Sequence, residues 1–128
     1  MTVRDRSDLE EKANLFTREL QVSDFVYVHL KGPDEFGHDG DAVGKKKNIE
    51  AIDRQFFSRV AGLGETRVGV SCDHATPCTI KMHSSDPVPL LSTTAGRGDA
   101  RRFTERNARL GSLGTFRGAE VLDFLLKP

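Results

Sequence analysis

Apolar residues recur at helical spacing near the start of the chain. Leu9, Ala13, Phe16 and Leu20 share one face of "SDLEEKANLFTREL", residues 7–20, and predict a helix. Ser7 and Glu10 stand where the two side chains of a capping box belong. The next segment, "FVYVHL" at residues 25–30, is short, β-branched, aromatic and nearly all apolar, which predicts a strand buried on both faces, as in a parallel sheet. Ile49, Ile52, Phe56 and Val60 then mark a second helix over residues 42–61. "RVGVS", residues 67–71, reads as another buried strand. "VPLLS", residues 88–92, reads as a third, and Pro87 and Pro89 favour a strand start or a sheet edge there. Thr104 is placed to cap a short helix ending near Gly111, and "RGAEVLDFLLK", residues 117–127, predicts a last helix. Strand, loop, helix, strand is a βαβ unit with parallel strands. The pattern therefore predicts an α/β fold.

Length and charge narrow the class. A chain of 128 residues fits one domain, 1–128. Nineteen basic and nineteen acidic side chains cancel, so bulk charge points to no nucleic acid and no anionic membrane as partner. The start, "MTVRDRSDLEEK", has no apolar signal core, and no apolar run approaches the length of a membrane span. Cys72 and Cys78 are too few for a disulfide framework. The expected setting is the cytoplasm, with reduced thiols.

Candidate chemistry gathers in two places. "KGPDEFGHDGD", residues 31–41, reads as a glycine-punctuated loop after the first strand, carrying Asp34, Glu35, Asp39, Asp41 and His38. "CDH", residues 72–74, follows the second strand, and His83 lies farther along the same polar loop. Ligands of open α/β sheets bind beyond the carboxyl ends of the strands, so both clusters are expected on one rim. Asp34, His38, Asp73, His74 and His83 offer two carboxylates and three imidazoles, a mixture suited to Zn²⁺ or Mn²⁺. A bound cation would also relieve the crowding of acids. Five donors exceed what one ion takes and fall short of two complete sites. Plainer roles compete: Asp34 is equally placed to cap a turn after Pro33, Asp41 to cap the following helix, and Asp73 to be an ordinary loop acid. His29, inside an apolar strand, is expected to be a satisfied core histidine. Lys45–Lys47 reads as a solvated first helical turn. Cys72 and Cys78 read as buried or passive thiols, and "GRG" at 96–98 as a turn without a phosphate-loop pattern around it.

Three stretches carry a resemblance. "HLKGPDEFGHDGD" with the later "IEAID", "SCDHATPCTIKMHSSDPVPLL" and "FTERNARLGSLGTFRGAEVLDFLL" resemble the archaeal-type, cofactor-independent phosphoglycerate mutases of the alkaline phosphatase superfamily. The likeness runs through nearly the whole chain with compatible spacing. It implies a partial alkaline-phosphatase-like three-layer sandwich, with a mostly parallel sheet flanked by helices. It implies metal-dependent interconversion of 3-phosphoglycerate and 2-phosphoglycerate, a glycolytic step, with two divalent ions, Mn²⁺ or Zn²⁺. Asp34, His38 and His83 match the ligands of one ion, and Asp73 and His74 match part of the second set.

The sequence also departs from that family. The aspartate and nucleophilic serine that complete the second set have no counterpart here, and neither do the family's substrate-binding basic residues. Ser71 and Ser84 lie near the matched ligands but outside the nucleophile's context, so the chain is expected to carry no catalytic serine. The resemblance therefore implies the carboxyl-terminal part of a longer enzyme, inactive by itself, holding at most one well-formed metal site. The missing amino-terminal half would be its partner, and a bare sheet edge would invite self-association. Two other readings accompany this one: a different phosphohydrolase or phosphotransferase of the superfamily, and a non-catalytic metal-binding domain.

Overall fold

The computed structural model describes residues 9–64, 66–93 and 101–127. The predicted capping residue Ser7 and the "GRG" segment lie outside them. The chain forms two compact units. The first comprises residues 1–64 with 76–83, and the second residues 65–75 with 84–128.

Helix α1 of the first unit spans Leu9–Glu19, with Glu10 and Glu11 in its first turn and Arg18 in its last. Those charges oppose the helix dipole at each end. A second helical stretch runs as α3 (Ala42–Ile52), a π turn (Asp53–Phe57) and α4 (Ser58–Val60). Two four-residue steps drift by about 80° around an ideal α-helix. The wider π turn takes up part of that drift and aims Ile52, Phe56 and Val60 into the core with Leu9 and Ala13, all at most 7% exposed. Ile49, assigned to the same face by its spacing, sits at the flank and is 49% exposed. The Phe16 and Phe56 rings meet at 5.8 Å between centroids. Arg59 reaches back to α1, donating to Asn14 Oδ1 at 2.9 Å and Glu10 Oε2 at 3.1 Å.

Helix α2 (Pro33–Asp39) replaces the loop expected at 31–41. Its signals are in the sequence. Pro33 stands in the first turn, where its missing N–H leaves no bond unmade. Asp34 and Glu35 follow at the positive end of the helix dipole. Gly40 closes the helix in the left-handed region at φ 75°, with N–H bonds back to the Gly37 and Phe36 carbonyls. Asp41 then caps α3 by accepting from Gly44 N at 2.8 Å, one of the plain roles expected for it.

In the second unit, β1 (Gly69–Val70) pairs antiparallel with β2 (Leu91–Ser92), in the register Gly69 with Ser92 and Val70 with Leu91. Thr93 extends the pairing, its N–H donating to Val68 O at 3.0 Å while its hydroxyl accepts from Val68 N at 2.8 Å. Helix α5 (Glu105–Ala108) is capped by Thr104, whose hydroxyl accepts from Asn107 N at 3.2 Å, as its position predicts. Helix α6 (Gly118–Leu126) lies over β1, where the Leu125 side chain fills the space that a side chain at Gly69 would need.

The mixed helix-and-sheet class agrees with expectation, but the strands differ. Residues 25–30 belong to no strand, and among the described residues the sole sheet is the antiparallel β1–β2 pair. A strand exists through its neighbour's hydrogen bonds, and composition cannot supply the neighbour. Phe25 and Tyr27 are accordingly 53% and 77% exposed. His29 is exposed as well, correcting its assignment to the core. Pro89 precedes β2, so the edge-or-start position expected of it is met.

Candidate metal centre

Helix α2 sets the first two donors. Asp34 and His38 are four residues apart and share a helical face, with His38 Nε2 3.5 Å from Asp34 Oδ1. His83 arrives from the 76–83 segment, its Nε2 3.7 Å from the same Oδ1 and 3.2 Å from His38 Nε2. The side chains of His38, Asp34 and His83 are 43%, 47% and 54% exposed, so a small ligand can reach all three.

The spacing fits one cation. Donors at about 2.0–2.2 Å from a Zn²⁺ ion lie about 3–3.6 Å from each other in tetrahedral or octahedral arrangements. The three separations here, 3.2, 3.5 and 3.7 Å, fall in or beside that range. The tautomer fits too. His38 Nδ1 lies 3.1 Å from the Lys81 carbonyl oxygen, which can only accept. Neutral His38 therefore carries its proton on Nδ1 and turns the Nε2 lone pair toward the cluster. An imidazole fixed by a backbone carbonyl behind it is the usual support of a metal ligand. Lys81 holds the carbonyl there from a left-handed conformation, φ 54°, after its N–H closes a turn on Pro77 O at 3.0 Å.

Three supports around this centre escaped the sequence reading. Thr76, 4% exposed, donates from Oγ1 to Asp34 Oδ1 at 2.5 Å. Lys45 donates from Nζ to the Thr76 carbonyl at 2.7 Å, so it is half-buried and engaged rather than simply solvated. The Lys81 carbonyl is the third. A main-chain acceptor leaves no side-chain signature, and Thr76 and Lys45 are separated in sequence from the residues they serve.

Asp73 and His74 belong to the second unit. His74 N–H donates to Asp73 Oδ1 at 3.1 Å, and the His74 ring lies 3.4 Å from Asp73 Oδ2. Asp73 is 72% exposed at its side chain. The serines beside these donors have structural work. Ser71 donates to Pro89 O at 3.1 Å and Ser84 to Asp86 Oδ2 at 2.7 Å. Cys78 is half-buried, with Sγ 3.7 Å from Phe36 O, whereas Cys72 is exposed and not buried as one reading had it.

The family model of the metalloenzyme superfamily matches residues 1–128. The chain belongs to this superfamily. Within it, the chain is similar to proteins named 2,3-bisphosphoglycerate-independent phosphoglycerate mutase. It is 44% identical over 114 residues to that of Aeropyrum pernix, covering 84% of this chain and 27% of the relative. It is 39% identical over 122 residues to that of Methanoculleus marisnigri, covering 94% and 29%. It is 40% identical over 133 residues to that of Methanopyrus kandleri, covering 98% and 31%. The chain thus spans under a third of the length of these curated relatives. Among solved structures it resembles the PH0037 protein of Pyrococcus horikoshii, with a TM-score of 0.85 and 36% identity, covering 94% of this chain and 38% of that one. This likeness shows that the chain shares the fold of the matched part of that structure. Metalloenzyme membership implies divalent-metal binding. No helix among the described residues is long and apolar enough to cross a membrane.

Proposed function

We propose that this chain is the metal-binding, carboxyl-terminal part of a cofactor-independent phosphoglycerate mutase. Asp34, His38 and His83 hold one divalent ion, Mn²⁺ or Zn²⁺. Asp73 and His74 contribute to a second ion whose remaining ligands and nucleophilic serine lie elsewhere in a longer protein. The observation that carries the reading is the convergence of Asp34 Oδ1 and the two imidazole Nε2 atoms within 4.8 Å of one another. The mutase names of the similar proteins supply the substrate class, 3-phosphoglycerate and 2-phosphoglycerate.

Divalent ions in such a site supply Lewis-acid polarisation of a phosphoryl group and lower the pKa of a coordinated hydroxyl. The residues of this chain hold and orient. Asp34 contributes one negative charge and the two neutral imidazoles none, so a loaded site stays cationic and favours an anionic phosphoryl group. The Lys81 carbonyl fixes the His38 tautomer. The exposed outer faces of the three ligands leave room for substrate oxygen. With no nucleophilic serine of its own, the chain is expected to lack mutase turnover. The phosphoglycerate substrates point to the cytoplasm as the setting.

The test is metal stoichiometry. Dialysis against Mn²⁺ or Zn²⁺ followed by elemental analysis should give one ion per chain, lost in His38→Ala and in Asp34→Ala. A parent chain that retains no metal would refute the site. Mutase activity is then measured on the longer protein containing this stretch, where loss of 3-phosphoglycerate interconversion in His38→Ala is expected.

A further inference from the structure

The Asp34 carboxylate is held from behind. Thr76 is among the least exposed polar residues described, at 4%. Its hydroxyl has one hydrogen to give, and that hydrogen goes to Asp34 Oδ1 at 2.5 Å. This is the oxygen that faces both imidazoles. Thr76 is itself anchored twice. Its carbonyl accepts from Lys45 Nζ at 2.7 Å, tying it to helix α3. Its backbone and methyl group press onto α2 at Gly37, where a Cβ would collide with Thr76 O and come within 2.9 Å of Cγ2. Gly37 is buried, between Asp34 and His38 on the same helix and next to His38. The missing side chain at 37 is what lets Thr76 come close enough to reach the carboxylate.

We propose that Thr76 is a positioning residue of the metal centre. Its hydroxyl fixes the rotamer of Asp34 and presents Oδ1 to the ion, while Lys45 and Gly37 fix Thr76. The inference rests on the reading of Asp34, His38 and His83 as ligands. An unsupported carboxylate on a half-exposed helical turn samples several rotamers, and each one away from His38 and His83 is lost to binding. Partners of this kind behind a metal ligand are worth about 10–100-fold in metal affinity.

The test uses the whole 128-residue chain. Mn²⁺ affinity is measured by titration calorimetry and by the electron paramagnetic resonance of free Mn²⁺, for the parent, Thr76→Val, Thr76→Ser and Lys45→Met. Circular dichroism checks the fold of each. Valine keeps the shape and removes the hydrogen bond. Its Kd should rise at least about tenfold, by the range given for such partners. Serine keeps the hydroxyl and should bind close to the parent. Lys45→Met loosens the anchor and should weaken binding less than valine does. Parent-like affinity in a folded Thr76→Val would overturn the proposal, and so would a serine variant as weak as the valine one, because packing and not the hydroxyl would then decide. If Thr76→Val does not fold, Lys45→Met decides: raised Kd supports the positioning role and unchanged Kd overturns it. A parent chain that binds no Mn²⁺ overturns the ligand reading, and this inference with it.

Discussion

His38 Nε2 and His83 Nε2 face each other at 3.2 Å across a shared carboxylate oxygen. One ring comes from a helix and the other from a segment forty-five residues later. Without metal, neutral His83 can donate from Nε2 to the His38 Nε2 lone pair at 3.2 Å, and a cation would replace that one hydrogen bond with a coordinate bond from each ring. Metal should therefore stabilise the fold measurably. At a free Zn²⁺ concentration one hundred times Kd, linkage predicts about 2.7 kcal/mol of added stability. Thermal unfolding with Zn²⁺ and then with a chelator reads that gain and its reversal. The Asp34→Ala chain should show no shift.

Gly37 and Gly62 make a matched pair of substitutions. A methyl group at Gly37 meets the Thr76 backbone, and one at Gly62 meets nothing within 4 Å. Forcing a methyl into a packed contact costs about 1–3 kcal/mol. Gly37→Ala should lose that much in urea unfolding and should also weaken Mn²⁺ binding, since Thr76 must retreat from Asp34. Gly62→Ala should stay within about 1 kcal/mol of the parent. Equal behaviour of the two would show that the close approach at 37 carries no strain.

The helices were readable in the residues because each is built from local information. The α1 stripe, the Thr104 cap and the Asp41 cap all follow from spacing of a few positions. Helix α2 is equally legible, from Pro33, the acids behind it and Gly40, although the same density of glycine and acid is also the composition of a loop. The strands were not readable to the same degree. "FVYVHL" has strand composition without a partner in the described sheet, and "RVGVS" pairs antiparallel with a segment some twenty residues away. Pairing is a tertiary fact that local propensity does not contain. Within the site, the three donors Asp34, His38 and His83 were named from residue type and resemblance, and the structure brings them together. Their supports were not named, because a backbone carbonyl and a buried threonine look like any other residues until the chain is folded.

Phe56 is the test of where the first unit gets its stability. It is 4% exposed and touches Phe16 at 5.8 Å and Phe57 at 5.4 Å between ring centroids. It also sits in the π turn, whose wide register aims it inward. Truncating a buried phenylalanine costs about 3–5 kcal/mol. Phe56→Ala should therefore unfold at a much lower urea midpoint. Val22→Ala, at a residue 81% exposed, should stay within about 0.5 kcal/mol of the parent. If the two variants unfold together, the core drawn from Leu9, Ala13, Ile52, Phe56 and Val60 does not hold the unit.

Lys81 separates a backbone role from a side-chain role at the metal centre. Its φ of 54° is unfavourable for a residue with a Cβ, yet its carbonyl is what accepts from His38 Nδ1 at 3.1 Å. Glycine adopts that conformation at no steric penalty, and for other residues the left-handed region costs about 1–2 kcal/mol. Lys81→Gly should therefore keep the carbonyl in place, retain metal binding and leave stability unchanged or slightly raised. Lys81→Val, β-branched and poorly tolerated at positive φ, should push the carbonyl away, destabilise the turn and weaken Zn²⁺ binding. The comparison is read by calorimetric Zn²⁺ titration of both variants. Equal loss of metal in the glycine and valine variants, both of which lack the ammonium, would mean that the side chain and not the backbone carbonyl supports the site. The site would then depend on charge placed beside the ligands and not on the tautomer that the backbone fixes.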